Sequence, residues 1–225
     1  VSSHRCYQCL RRSTPRAFRP AVAYSTLEAE LEQGKSFPEE WNRYQDPATE
    51  CDVYRLTDPA FASHLPAPYN RVISRRHGFL LFSSDRAGYT QAFRMDLKTG
   101  ECRQLTQAKE FDRQSLTLLP GDRAICFFDG RSLRQANLAT LRDREVYRIP
   151  EGWTRGPGGS VTADGVNALF SEAGPRGSRL RLVGAARGVA TTILETPFPG
   201  AYPVARPRRA QVLYRQGDEA LWLVN

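Results

Sequence analysis

Four apolar, β-rich triplets recur along the chain: Leu80-Leu81-Phe82, Cys126-Phe127-Phe128, Ala168-Leu169-Phe170 and Val212-Leu213-Tyr214. Their aromatic ends lie 46, 42 and 44 residues apart. Each triplet follows a polar turn: Arg75-Arg76-His77-Gly78, Pro120-Gly121-Asp122-Arg123, Ala163-Asp164-Gly165 and Arg206-Pro207-Arg208-Arg209. Each is followed by a second strand-like stretch, at 91–97, 133–138, 180–183 and 220–224. A third stretch closes the unit, as in Asp96-Leu97-Lys98-Thr99-Gly100 followed by 101–106. A repeat of this length with several strands per unit is the signature of a β-propeller. A lone twisted sheet cannot bury both of its faces. Packing blades face to face around an axis buries them and leaves only short, protected edges. No long 3.6-residue periodicity interrupts the strands, so the predicted class is all-β. The pattern predicts four-stranded blades, about four of them. A first strand is expected near residue 54, and the last unit breaks off at Leu223-Val224-Asn225, which reads as an incomplete ring.

The first 20 residues carry Arg5, Arg11, Arg12, Arg16 and Arg19 and no acidic residue. Residues 1–33 are expected to form a basic, poorly ordered extension, with one or two helical turns at 26–33, and the propeller to occupy 34–225. No apolar stretch follows the basic start, so it does not read as a secretory signal. Nor does any run approach the ~18 apolar residues of a membrane span. The single methionine is Met95, so Val1 implies either a non-standard start or a piece of a longer chain. Five cysteines without regular spacing do not make a disulfide framework. The expected compartment is reducing, hence cytoplasmic.

The formal charge is +8, and only three of the 32 basic residues are lysines (Lys35, Lys98, Lys109). Two readings stay open: a surface that attracts a polyanion such as a polyuronate or nucleic acid, or arginine spread evenly over the surface. Among candidate chemical groups, His64 lies in the Pro-rich stretch 62–71, a loop expected at one rim of the propeller. There it could bind or deprotonate an anionic sugar. Tyr69, Asn70 and Arg71 follow it, and Arg71 could clamp a carboxylate through two parallel hydrogen bonds. The expected substrate-binding residues are therefore His64, Tyr69 and Arg71. His77 sits in a turn and His4 in the basic extension. Three scattered histidines make no His-rich metal site. Cys6 and Cys9 form a single C-x-x-C with no second pair. Cys126 lies within a strand, and Cys51 and Cys102 at strand starts. Asp85, Asp96, Asp122, Asp129 and Asp164 fall in or beside turns, where a carboxylate accepts hydrogen bonds from turn amides. No G-x-S-x-G, phosphate-binding loop or dinucleotide fingerprint is present.

Two resemblances extend these readings. The stretch Phe82-Ser83-Ser84-Asp85-Arg86, through Met95 to Gly100, to Arg103-Gln104-Leu105-Thr106 resembles a repeat of the TolB-type propellers. Over residues 34–225 the chain is similar to the first half or more of bacterial oligogalacturonate lyases. The resemblance is carried by Gly34-Lys35-Ser36-Phe37-Pro38-Glu39-Glu40-Trp41, Asp46-Pro47-Ala48-Thr49, Tyr54-Arg55-Leu56-Thr57-Asp58-Pro59 and Leu221-Trp222-Leu223-Val224-Asn225. It implies a truncated seven-bladed ring. It also implies β-elimination of short oligogalacturonates: a base removes the proton beside the uronate carboxylate, and Mn²⁺ with a basic side chain stabilises the developing charge. The family's metal ligands and candidate base come from later blades, so the resemblance implies no metal or cofactor held by the residues present here. The family's loop after the Arg-Leu-Thr strand is rich in histidine, whereas 62–71 has only His64. The expected ligand is an anionic oligosaccharide, with neither nucleic acid nor a membrane as partner. Alternatives are a non-catalytic TolB-like propeller that binds a protein or glycan, and the propeller cap of a larger serine peptidase.

Overall fold

The computed structural model describes residues 33–225 except Arg75, Asp218 and Glu219. The expectations for residues 1–32, including His4, Cys6, Cys9 and the helical turns, lie outside the described residues. Every element described is a β-strand. Among the described residues no helix is long and apolar enough to cross a membrane.

Four antiparallel sheets follow one another as blades. Blade 2 shows the plan most simply: an inner strand Thr117–Leu118, then Ala124–Asp129, Ser132–Asn137 and an outer strand Asp143–Arg148, each paired with its predecessor. Blade 1 places Phe79–Ser84, Gln91–Asp96 and Cys102–Gln104 in the same order, and Ser36–Phe37 adds a fifth, outermost strand. Blade 3 contains Asn167–Gly174, Gly177–Gly184 and Ala190–Thr196. Blade 4 contains Gly200–Ala205, Val212–Gln216 and Ala220–Val224. The four predicted triplets thus fall on the second strand of each blade. The strand expected near residue 54 belongs elsewhere. Asp52–Arg55 pairs with Asn42–Gln45 in a separate two-stranded hairpin, outside every blade. Its alternation of side chains was readable, but its partner was not.

Packing refines the repeat. Along a strand successive side chains point to opposite faces, so the triplets of blades 2 and 3 are divided between two interblade cores. Phe79 and Leu81 of blade 1 meet Ile125 and Phe127 of blade 2. Cys126 and Phe128 turn the other way, to Ala168 and Phe170 of blade 3. Leu169 meets Val212 and Tyr214 of blade 4. Phe82 packs with Phe93, Met95 and Phe37 on the far face of blade 1. The side chains that face the preceding side are therefore Phe82, Phe127, Phe170 and Tyr214, spaced 45, 43 and 44 residues apart. Blade 2 is shifted by one residue from the alignment of aromatic triplet ends.

The inner strand of each blade is interrupted, and the interruption places the site. In blade 1 it is split into Ser63–His64, opposite Ser84 and Ser83, and Ile73–Ser74, opposite Leu80 and Phe79. In blade 2 an isolated bridge joins Phe111 to Asp129 ahead of Thr117–Leu118. In blade 3 Thr154–Arg155 and Ser160–Val161 pair with opposite ends of one strand. In blade 4 the register shifts between Ala201 and Val204. The chain between these pieces bulges toward its neighbours: Ala67 N–H donates to the Gln114 carbonyl, Leu118 N–H to Arg71, and Tyr202 N–H to Pro157. Such bulges commonly re-aim side chains beside functional sites.

Candidate functional site

The inner strands of blades 1, 2 and 3 all begin at the same end of the blades, and their first residues carry polar side chains that touch across the blade boundaries. His64 is not in a loop, as its Pro-rich setting suggested, but on the short strand Ser63–His64. Its Nε2 lies 2.9 Å from Nη1 of Arg113 in blade 2. A guanidinium can only donate, so Nε2 accepts, and the ring is held in the tautomer with its proton on Nδ1. Asp112, next to Arg113, forms an ion pair with Arg155 of blade 3. Two adjacent residues of one interruption thus bind both neighbouring blades.

Arg155 is the centre of the group. Its guanidinium lies 4.3 Å from the centroid of the Phe128 ring, and Nη2 donates to the Gly158 carbonyl at 2.8 Å. Its side chain is 14% exposed. Burial pulls its pKa down to about 10, with Tyr69 opposing that fall, so the group is charged at neutral pH. Tyr69 reaches the same place from blade 1. A Cβ on Gly158 would lie 2.8 Å from the Tyr69 hydroxyl and 2.6 Å from Tyr202 Cα. Gly158 also has φ +78°, so glycine is required there both by space and by backbone conformation. Burial is the largest influence on Tyr69 and raises its pKa, so the phenol stays neutral. Arg215 of blade 4 stacks over Tyr202, 5.0 Å from its centroid. Tyr69 Oη, Arg155 Nε, Ser171 Oγ and Arg215 Nε are buried without hydrogen-bond partners. Atoms of Asn70, Asp85, Arg86, Gln104 and Arg181 share that state, so the cluster is marked by its charges and rings rather than by unpaired atoms alone.

Of the three residues singled out from sequence, the structure brings His64 and Tyr69 to this cluster. Arg71 is directed elsewhere: it donates to the Leu119 carbonyl and forms an ion pair with buried Asp122, which also accepts from Ser74. Sequence reasoning missed Asp112, Arg113, Arg155, Tyr202 and Arg215. A signal existed for two of them. Arg113 and Arg155 stand 14 and 15 residues before Phe127 and Phe170, at matching places in their units. His77 lies in a turn, stacked on Phe79. Cys102 and Cys126 are buried, with thiols pushed up by desolvation to about 11 and about 12, and are inert.

The fold and this cluster define a β-propeller whose interrupted inner strands gather cationic and aromatic groups at one end. The chain belongs to the oligogalacturonate lyase family, whose model matches residues 31–171. It is 30% identical over 124 residues to the oligogalacturonide lyase of Pectobacterium atrosepticum and, equally, to the oligogalacturonate lyase of Dickeya dadantii, covering 55% of this chain and 32% of each relative. A solved oligogalacturonate lyase in complex with manganese superposes with a TM-score of 0.81 at 27% identity, over 86% of this chain and 58% of that one. The fold is also that of an oligogalacturonate lyase from Vibrio parahaemolyticus, with a TM-score of 0.79, 20% identity, and coverage of 84% of this chain and 56% of that one. The matched segment spans about a third of the length of these curated relatives.

The manganese in that solved relative prompts a test of the residues here. Among the described residues no group of three His, Cys, Asp or Glu side chains is placed to hold a metal ion. His64 has its Nε2 engaged by Arg113, and Asp112 is engaged by Arg155. The described residues do not fit a manganese site.

Proposed function

We propose that this chain is the carboxylate-binding part of a lyase that cleaves short oligogalacturonates by β-elimination. The observation that carries the reading is the meeting of His64, Arg113, Arg155 and Arg215 across four blades, with Tyr69 and Tyr202 between them. A uronate chain offers one carboxylate per sugar, and guanidinium groups pair with carboxylates in a geometry ammonium groups cannot match. Arg155 is the strongest candidate for the carboxylate because it is desolvated, charged and has an unpaired Nε–H. In elimination, negative charge develops on the carbon beside the carboxylate and spreads into it. A buried cation already in place stabilises that charge without reorganising. His64, held by Arg113, orients the neighbouring sugar. The structure assigns no base. A reducing, cytoplasmic location is part of the proposal, supported by the unpaired thiols of Cys51, Cys102 and Cys126.

The test is a calorimetric titration of the protein with trigalacturonate, repeated on Arg155→Gln and Arg113→Gln. Binding weakened about tenfold or more by either change supports the reading. Unchanged binding in both variants rejects it, and no binding of any uronate by the unaltered protein would favour the non-catalytic TolB-like alternative.

A further inference from the structure

The hairpin of Asn42–Gln45 and Asp52–Arg55 stands outside the four blades, yet its turn is the one that joins the third strand of a blade to the outermost. In the hairpin the Asp46 amide donates to the Cys51 carbonyl at 2.9 Å, and the Glu50 amide donates to the Asp46 carbonyl at 2.8 Å. The same two bonds recur between Asp96 and Glu101 and between Gly100 and Asp96 in blade 1. They recur again at Asn137, Arg142 and Leu141 in blade 2, and at Gly184, Val189 and Gly188 in blade 3. Asp46, Asp96 and Asn137 each also accept, through the side chain, from the amide two residues on. The fifth residue of all four turns is left-handed: Glu50 φ +57°, Gly100 φ +77°, Leu141 φ +60° and Gly188 φ +69°. The hairpin also lies where a blade ahead of blade 1 would put its outer strands. Its Leu56 packs against Phe82, Phe93 and Met95 on the face of blade 1 turned away from blade 2. A Cβ on Gly100, in the blade 1 turn, would collide with the Trp41 ring.

The inner half of that place is open among the described residues. The third strands of blades 1 and 2 are largely buried and pair on both edges, whereas Asn42–Gln45 is exposed throughout and pairs on one edge only. Because Asp46 pairs with Cys51, the backbone groups of Arg43 and Gln45 point to the free edge. Ile73 of blade 1, opposite Leu80, is 49% exposed. Leu118 and Val161 hold the same place, nine residues before Phe127 and Phe170 as Ile73 is before Phe82. Both of those are packed into the core shared with the preceding blade.

We infer that the hairpin 42–55 is the outer half of a split blade, and that the free edge of Asn42–Gln45, with Ile73 beside it, binds the inner half: a two-stranded β-segment from polypeptide that carries further blades of this repeat. The segment would add its second strand to the free edge by backbone pairing and set apolar side chains on Ile73 and Leu80. A second copy of this chain has no such segment to offer, because each of its four second strands is already paired on both edges. The solved manganese-bound relative does have additional chain, since the superposition covers 58% of it. A blade shared between two parts of the polypeptide also removes an exposed edge, which closed β-architectures avoid. Its inner strand would start at the same end as those of blades 1, 2 and 3, next to the strand that carries His64, and add a further wall to that cluster.

The experiment follows hydrogen exchange of the Arg43 and Gln45 amides by NMR in the whole chain, alone and with two probes. One probe is a synthetic peptide of residues 110–131, which holds the inner and second strands of blade 2. The other, supplied by coexpression, is the part of the solved manganese-bound relative that lies outside the superposition. In the chain alone both amides should exchange as unpaired groups, and either probe should abolish that fast exchange. Two variants, each checked for unchanged circular dichroism, locate the effect. Gln45→Pro removes an outward N–H and spares the hairpin's own backbone bonds, and Ile73→Glu puts a charge where an apolar contact is expected. In both, the protection of Arg43 should be lost. Fast exchange that persists with both probes overturns the inference, and so does protection that survives both variants. Protection in the chain alone that vanishes on dilution assigns the edge to a second copy, and protection independent of concentration assigns it to the chain itself; either result overturns the proposed occupant. No uronate enters the measurement, so its outcome is independent of the carboxylate-cluster reading.

Discussion

Phe127 has the same neighbours one would expect of Phe82 or Phe170, although its position in the triplet differs. It is buried in the core shared by blades 1 and 2, with Phe111 5.5 Å away. Phe127→Ala removes a fully enclosed ring and should cost about 3–5 kcal/mol in urea unfolding. Leu213→Ala, on the exposed face of blade 4, should change stability by less than about 1 kcal/mol. A pH effect belongs at this scale too. Burial pushes the Asp122 pKa up, but hydrogen bonds from Ser74 and Arg71 outweigh it and hold the carboxyl below its usual value. A carboxyl depressed on folding contributes stability above its unfolded pKa of about 3.9, and that contribution is lost as pH falls through the folded value. Asp122→Asn should therefore lower stability at neutral pH and flatten its decline on the acid side, as read from urea midpoints across that range.

The segment that precedes the blades is tied to blade 1 by a buried ion pair. Arg86 has a side chain with no exposure and donates to Glu40 at 2.9 Å, and the second oxygen of Glu40 accepts the Asp58 amide. The rings of Phe37, Phe61, Phe82 and Phe93 surround the guanidinium at 5.1–5.9 Å. This element places the chain leading to His64, because Asp58 and Phe61 lie on the same stretch. Glu40→Gln strands a charge in an aromatic enclosure and should destabilise by about 3–5 kcal/mol. Replacing both partners, Glu40→Gln with Arg86→Met, should cost less than Glu40→Gln alone, as a double-mutant cycle by urea unfolding would show. Glu172 makes a second buried pair, receiving Arg179 and the Tyr147 hydroxyl.

For the molecule as a whole, the net charge of +8 favours an anionic ligand. One end of the blades presents the His64, Arg113 and Arg155 cluster. Affinity for trigalacturonate should fall as salt is added, because its carboxylates meet cationic groups partly open to solvent. Anisotropy titrations at several salt concentrations measure the slope, and an affinity independent of salt would mean that no ionic contact is made.

The triplets, their polar turns and their spacing determined the all-β class and the position of the second and third strands of every blade. These rest on local alternation and turn chemistry, which neighbouring residues carry within themselves. The resemblance in 34–59 and 221–225 made the family legible as well. His64 and Tyr69 were visible as candidates because the propeller reading places their Pro-rich stretch at one rim. Tertiary structure decided the rest. The one-residue shift of blade 2 depends on which face of the strand meets blade 1. The hairpin at 42–55 depends on a partner strand that no local pattern names. Arg155 became a binding candidate, and Arg71 the partner of Asp122, only through contacts between blades. Those contacts join residues 43 and 51 positions apart, a juxtaposition that exists only once the blades have packed.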